Sequence, residues 1–243
     1  VKSSNPGDVL SQRPSGVFMN KATTRRSSVP ETASIAKVAA ALSAERMKPY
    51  LEHAEGDLSA AVRLYEWNLV VSGALYEALG ILEVVLRNAI HERLMERHGN
   101  RPGYWYDDPA GILSDMAHKD VASARQRIRK LHRSETPGRV VAELSFGFWK
   151  FLLSRRYEAS LWTADLRHAF PRLRPQRRSL VYGALDELHA LRNRIAHHEP
   201  IYRRLLERDA ETTSRILEWI GPEVREWADT RSRLHAVLAA RPC

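Results

Sequence analysis

The chain reads as an all-α protein, and three observations carry that reading. Gly and Pro are sparse, at 12 each in 243 residues. Long Ala-, Leu-, Arg- and Glu-rich runs place apolar residues three and four apart, the helical period. No Val/Ile/Thr alternation bounded by paired turn residues marks a strand. The length is enough to bury a substantial core.

Residues 1 to 33 are rich in Ser, Pro, Lys and Arg without an apolar period, so they are expected to form a disordered basic tail. Lys21, Arg25 and Arg26 add charge to it. Residues 34 to 243 are expected to form a single helical domain. A first helix spans about Ser34 to Leu42. Ser43 can cap a second, which Pro49 should break or kink. Asp57 is placed to cap the long run from Leu58 to His98. Its apolar residues, among them Ala61, Leu64, Leu75, Leu79, Leu82 and Leu86, keep helical spacing, and Gly73 or Gly80 is a place for it to bend or divide.

Residues 99 to 111 form a loop by their Gly and Pro content, with Tyr104, Trp105 and Tyr106 either stacking on bases or plugging the loop onto the core. A helix from about Ile112 to His132 follows, basic in its second half through Arg125, Arg127, Arg129 and Lys130. Ser134 to Gly138 connects it to a helix spanning Val140 to Trp162, in which Gly147 permits close approach of another helix. After a turn over Leu166 to Phe170, a helix begins near Gln176 and ends at Pro200. Ile201 to Arg208 and Ala210 to Ile220 read as short helices, Pro222 opens the last one, and Trp219 and Trp227 are expected core anchors.

The stretch from Leu188 to Pro200 concentrates the chemistry. At roughly 100° per residue, Val181, Ala184, Leu185, Leu188, Leu191 and Ile195 form one buried stripe, with Arg192 inside it. Asn193 and His197 are four apart on a second face, and Arg194 and His198 are four apart on a third. A guanidinium within an apolar stripe needs a partner, since an unpaired buried charge is costly.

Arg192-Asn193-Arg194-Ile195-Ala196-His197 matches R-N-x-x-x-H, the signature of the HEPN superfamily of helical ribonucleases, and Leu191 to Tyr202 resembles its Abi-like, abortive-infection branch. Three stretches in the family's order extend the resemblance over about residues 45 to 225: Leu64 to Asn68, Leu82 to Ile90 and Val140 to Trp149. The resemblance implies a HEPN-like helical bundle with additional helices. It also implies a homodimer that pairs two motifs, and a toxin-like antiphage ribonuclease held in check by an antitoxin protein or a regulatory RNA.

On that basis Arg192, Asn193 and His197 are the expected catalytic residues. Imidazole suits proton transfer because its pKa is about 6.5, and guanidinium suits phosphate charge. Arg194 with His198 is a reserve pair. Glu83, Arg87 and Asn88 are expected either to support the site across a cleft or to be an orienting buried pair. Arg87 to His91 echoes the signature but is one residue short. Arg172, Arg174, Arg177 and Arg178, at the start of the motif helix, are expected to bind nucleic acid.

The formal charge of +9 and pI near 9.9 favour phosphate-bearing partners. No metal or other cofactor is expected: His197, His198 and Glu199 point in different directions on a helix, and the one cysteine, Cys243, excludes a Cys-based zinc site. No run approaches roughly 18 consecutive apolar residues, and no apolar signal core opens the sequence. RNA is the expected partner, a membrane is not, and the cytoplasm is the expected compartment. The alternative is a non-catalytic RNA-binding or dimerisation module. A DNA-binding regulator fits less well, for want of a compact helix-turn-helix.

Overall fold

A computed structural model describes residues 31 to 242, and within them every regular element is helical, with no strand. Ten α-helices run α1 (Glu31–Leu42), α2 (Ala44–His53), α3 (Leu58–His98), α4 (Asp115–Lys130), α5 (Pro137–Glu143), α6 (Phe146–Phe151), α7 (Arg178–Ala196), α8 (Leu206–Ile220), α9 (Pro222–Arg231) and α10 (Leu234–Ala239). The basic patch Lys21, Arg25 and Arg26 lies outside the described residues. The helix expected from Ser34 begins three residues earlier, at Glu31.

The architecture is built on α3, one uninterrupted helix of 41 residues. Neither Gly73 nor Gly80 divides it, because a nearly continuous stripe is buried on both sides of each: Leu64, Asn68, Val71, Leu75, Leu79, Leu82, Leu86, Ile90 and Leu94. Burying each Leu or Ile contributes about 1.5–3 kcal/mol, which outweighs the roughly 1 kcal/mol that a helical glycine costs. The Asp57 side chain caps the start, accepting from Ala60 N at 3.0 Å. Gly99 ends it at φ 61°, a left-handed turn open to glycine without strain. Although no run of consecutive apolar residues is long, α3 contains an 18-residue window of mean hydropathy 1.9, so by length and composition it could cross a membrane. In this fold it is the helix on which α1, α2, α6, α7, α8 and α10 all pack.

Pro49 does not break α2. Met47 and Tyr50 are buried, and the hydrogen bond that proline removes would have gone to the carbonyl of exposed Glu45. Ser43 caps the helix as expected, accepting from Arg46 N at 3.3 Å.

The helix expected over Val140 to Trp162 is instead α5, α6, a 3₁₀ turn and a π turn. Thr136 caps α5 with Pro137 at its first turn, and Ser145 caps α6 by accepting from Phe148 N at 3.3 Å, so two local caps divide the apolar run. The Ile112–His132 helix shortens to α4 behind its Ser114 cap. Ile201 to Leu205 is a turn, α8 replaces the two short helices expected there, and the single terminal helix is α9 and α10. Trp219 packs on the core, but Trp227 is 48% exposed and anchors nothing.

Trp105 and Tyr106 are buried, so the loop plugs onto the core and those rings are not free to stack on bases. Trp105 Nε1 donates to His91 Nδ1 at 2.8 Å. Burial holds the His91 pKa below its ordinary value, and the bond from Trp105 requires an unprotonated Nδ1. A depressed histidine pKa contributes stability above the unfolded value, near 6.5, and loses it as pH falls through the folded value. Urea unfolding is therefore expected to show a flat free energy above about pH 6.5 and a decline below it. The decline should shrink in His91→Gln.

Candidate functional site

The site is built where α7 ends against α2 and α3. All six stripe residues, Val181, Ala184, Leu185, Leu188, Leu191 and Ile195, are buried. That burial fixes the rotation of α7, and with it the direction of every polar residue on the helix.

Arg192 is half-buried at the edge of the stripe, and its Nε is fully buried with no hydrogen-bond partner among the described residues. Its neighbours are cationic or ionisable. His189, one turn earlier, stacks on Phe146 at 5.8 Å, and its Nδ1 lies 3.4 Å from Lys150 Nζ. Burial first, then the charges of Lys150 and Arg192, lowers the His189 pKa. Asp186 pairs with Lys150 at 2.6 Å, and among the described residues Arg192 forms no ion pair. Gly147 allows this packing: a Cβ there would stand 3.3 Å from His189 Nε2, so the close helix approach expected of it occurs at His189.

Helix α7 runs unbroken to Ala196, and His197 is its C-cap, with its N–H still bonded to Asn193 O at 3.0 Å. The chain leaves the helix only after His197, so Arg192 and His197 remain about 140° apart around one helix. Asn193 is half-buried and His197 is exposed. His198 adopts φ 55°, a left-handed conformation uncommon outside glycine. Its carbonyl accepts from Arg46 NH1 of α2, 152 residues away.

Arg194 pairs with Glu199 at 3.0 Å. The segment after the motif is anchored from α3, where buried Asn68 Oδ1 accepts from Ile201 N at 2.9 Å and Tyr202 N at 3.1 Å. Tyr202 is fully buried between Tyr50 and His53, with its hydroxyl donating to Pro49 O at 2.6 Å. It is a packing residue here. A cleft of about 380 Å³ opens between these pieces, lined by Arg46, Tyr65, Asn68, Leu69, Ser72, Ile195 and His198.

Glu83, Arg87 and Asn88 do not reach that cleft within one chain. Arg87 lies nineteen residues beyond Asn68, about 28 Å of straight helix. Among the described residues Glu83 and Arg87 form no ion pair; Arg87 Nε instead donates to Asn88 Oδ1 at 3.4 Å. Both residues lie on the same face of α3 as exposed Leu69, Tyr76 and Val84, by helical rotation.

The arginine cluster at the start of α7 is only partly available. Arg178 is buried, donates to Leu153 O at 2.7 Å, lies 3.4 Å from Glu158 and sits over Tyr182. It is a structural residue and not a surface cation. Arg172, Arg174 and Arg177 are exposed, with Arg174 NH1 on the carbonyls of Pro171 and Leu173. Arg125 is likewise engaged by Asp107 and Glu135, and Arg127 by Glu143.

Sequence reasoning missed Arg46, His189 and Lys150. Arg46 and Lys150 stand far from the motif in sequence and carry no local pattern. His189 was readable, one turn before Arg192 on a neighbouring face. No protein-family model, curated protein or solved structure matches this chain.

Proposed function

We propose that this chain is an endoribonuclease of the Abi-like, HEPN type, which cleaves RNA without a metal ion in a toxin-like antiphage role. The observation that carries the reading is Arg192: a guanidinium on the motif helix, near His189, whose buried Nε has no hydrogen-bond partner and which forms no ion pair among the described residues. Such a group is stabilised by an anion, and a phosphate supplies both the charge and the acceptor geometry.

RNA carries its own nucleophile, the 2′-hydroxyl. His197 acts as acid or base, Arg192 holds phosphate charge, and Asn193 orients one or the other. One such histidine per chain supports pairing of two motifs across a two-fold homodimer. The exposed α3 face with Leu69, Tyr76 and Val84 suits that contact, because it borders the cleft at Leu69. Glu83 and Arg87 on the same face would then serve the partner's site. The exposed Arg172, Arg174 and Arg177 add backbone attraction. A cellular ribonuclease needs restraint, hence an antitoxin protein or regulatory RNA, and the cytoplasm is its place of action.

A second reading, a non-catalytic RNA-binding or dimerisation module, is favoured by one feature: α7 runs unbroken to Ala196 and keeps Arg192 and His197 on different faces. Incubation with RNA and with DNA of the same sequence, both in EDTA, separates the two. The nuclease cuts the RNA and spares the DNA; a binding module retains RNA and cuts neither.

A further inference from the structure

The cleft beside His198 brings together residues from three distant parts of the chain. Arg46 comes from α2, Tyr65, Asn68 and Ser72 from successive turns of α3, and His198 from the turn after α7. Its volume of about 380 Å³ stands at the low end of small-molecule sites, roughly 300–1,000 Å³. That is room for one nucleotide and not for a folded strand.

The lining is rich in hydrogen-bond donors. The one side-chain hydrogen bond of Arg46 among the described residues goes to the carbonyl of His198 and not to a carboxylate, so most of its five-donor fork and its full charge remain for a ligand. Asn68 is 3% exposed, and its Oδ1 is occupied by two backbone N–H groups. That fixes the amide orientation and leaves Nδ2 as its donor. Tyr65 meets Tyr50 edge-on at 5.3 Å and is half-buried, so part of its ring borders open space. The left-handed backbone at His198 is held between the Arg46 contact and the Asn68 anchor. Residues with φ in this region cost free energy and persist where the surroundings fix them.

We infer that this cleft is a nucleotide subsite of the RNA site, in which Arg46 binds the phosphate, Tyr65 contacts the base, and His198 stands beside the phosphate. The donors of Asn68 favour a base with carbonyl acceptors, such as uracil. The assignment rests on the RNA reading of the motif. It adds to that reading a second guanidinium and a second imidazole from outside the hexapeptide's core.

The test is titration of the full chain with uridine 3′-monophosphate, followed by calorimetry and by the NMR signals of the His198 ring. Saturable binding that shifts the His198 signals is expected, weakened at least about tenfold in Arg46→Gln. Ser72→Tyr fills the cleft without touching the Arg46 contact, and should weaken binding similarly while the thermal midpoint stays near that of the unmodified protein. Absence of nucleotide binding, or unchanged affinity in both variants, overturns the assignment. RNA cleavage is scored in parallel. Nucleotide binding without cleavage keeps the cleft and removes the nuclease. Cleavage with unchanged KM in Arg46→Gln and Ser72→Tyr keeps the nuclease and removes the cleft.

Discussion

In His197→Ala, RNA cleavage is expected to fall by about 10²–10⁴-fold, the range for removing a general acid or base, while RNA affinity is expected to change by less than about threefold. The asymmetry follows from position. His197 is exposed at the C-cap of α7, and its side chain makes no hydrogen bond among the described residues, so its loss leaves the fold and the cationic surface intact. Arg192→Ala should behave differently, lowering affinity and turnover together, because in the proposed mechanism the guanidinium serves the phosphate in ground and transition states alike. Gel-shift titration and single-turnover cleavage on the same preparation measure both quantities. Equal cleavage by His197→Ala and the unmodified protein removes His197 from the chemistry and leaves His198 as the imidazole to test.

The second large effect is on stability. Asn68→Ala leaves the N–H groups of Ile201 and Tyr202 without an acceptor in a buried position. Each unsatisfied group costs about 1–3 kcal/mol, so the expected loss is about 2–6 kcal/mol, a large part of the ordinary stability of a domain, about 5–15 kcal/mol. Urea titration should show a lower midpoint with an unchanged slope. Asn88→Ala, on the exposed side of the same helix, should stay within about 0.5 kcal/mol of the unmodified protein. A loss below about 1 kcal/mol in Asn68→Ala would mean that the post-motif turn is held by its apolar packing and not by the amide.

The parts that were legible in the sequence share one property: they depend on local spacing. The α7 stripe and the Asp57 cap follow from periodicity and from a short polar side chain at a helix start. The same logic, applied further, would have found Thr136-Pro137 and Ser145 as caps inside an apolar run. It would also have found Arg178 on the flank of the α7 stripe, three residues before Val181. Pro49 misled in the other direction, because burial of Met47 and Tyr50 outweighs one missing hydrogen bond at an exposed carbonyl.

What local spacing does not reach is the cleft. Arg46 and His198 are 152 residues apart, Asn68 and Ile201 are 133 apart, and both contacts exist only because α2 and α7 settle on the same stretch of α3. The motif marked which residues are the candidates for chemistry. Tertiary packing decided which of them share a space: His198 joins Arg46 in the cleft, while Arg192 lies near His189.

The central claim is that the chain cleaves RNA by attack of the 2′-hydroxyl, with protein side chains as the only catalysts. The chemistry of the new ends after digestion in EDTA tests it most directly. A 2′,3′-cyclic phosphate on one fragment and a 5′-hydroxyl on the other, formed by the unmodified protein and not by His197→Ala, is the predicted result. Fragments bearing 5′-phosphate and 3′-hydroxyl, or cleavage that stops with EDTA, would contradict it, because water and not the 2′-hydroxyl would then be the nucleophile or a metal ion would be required.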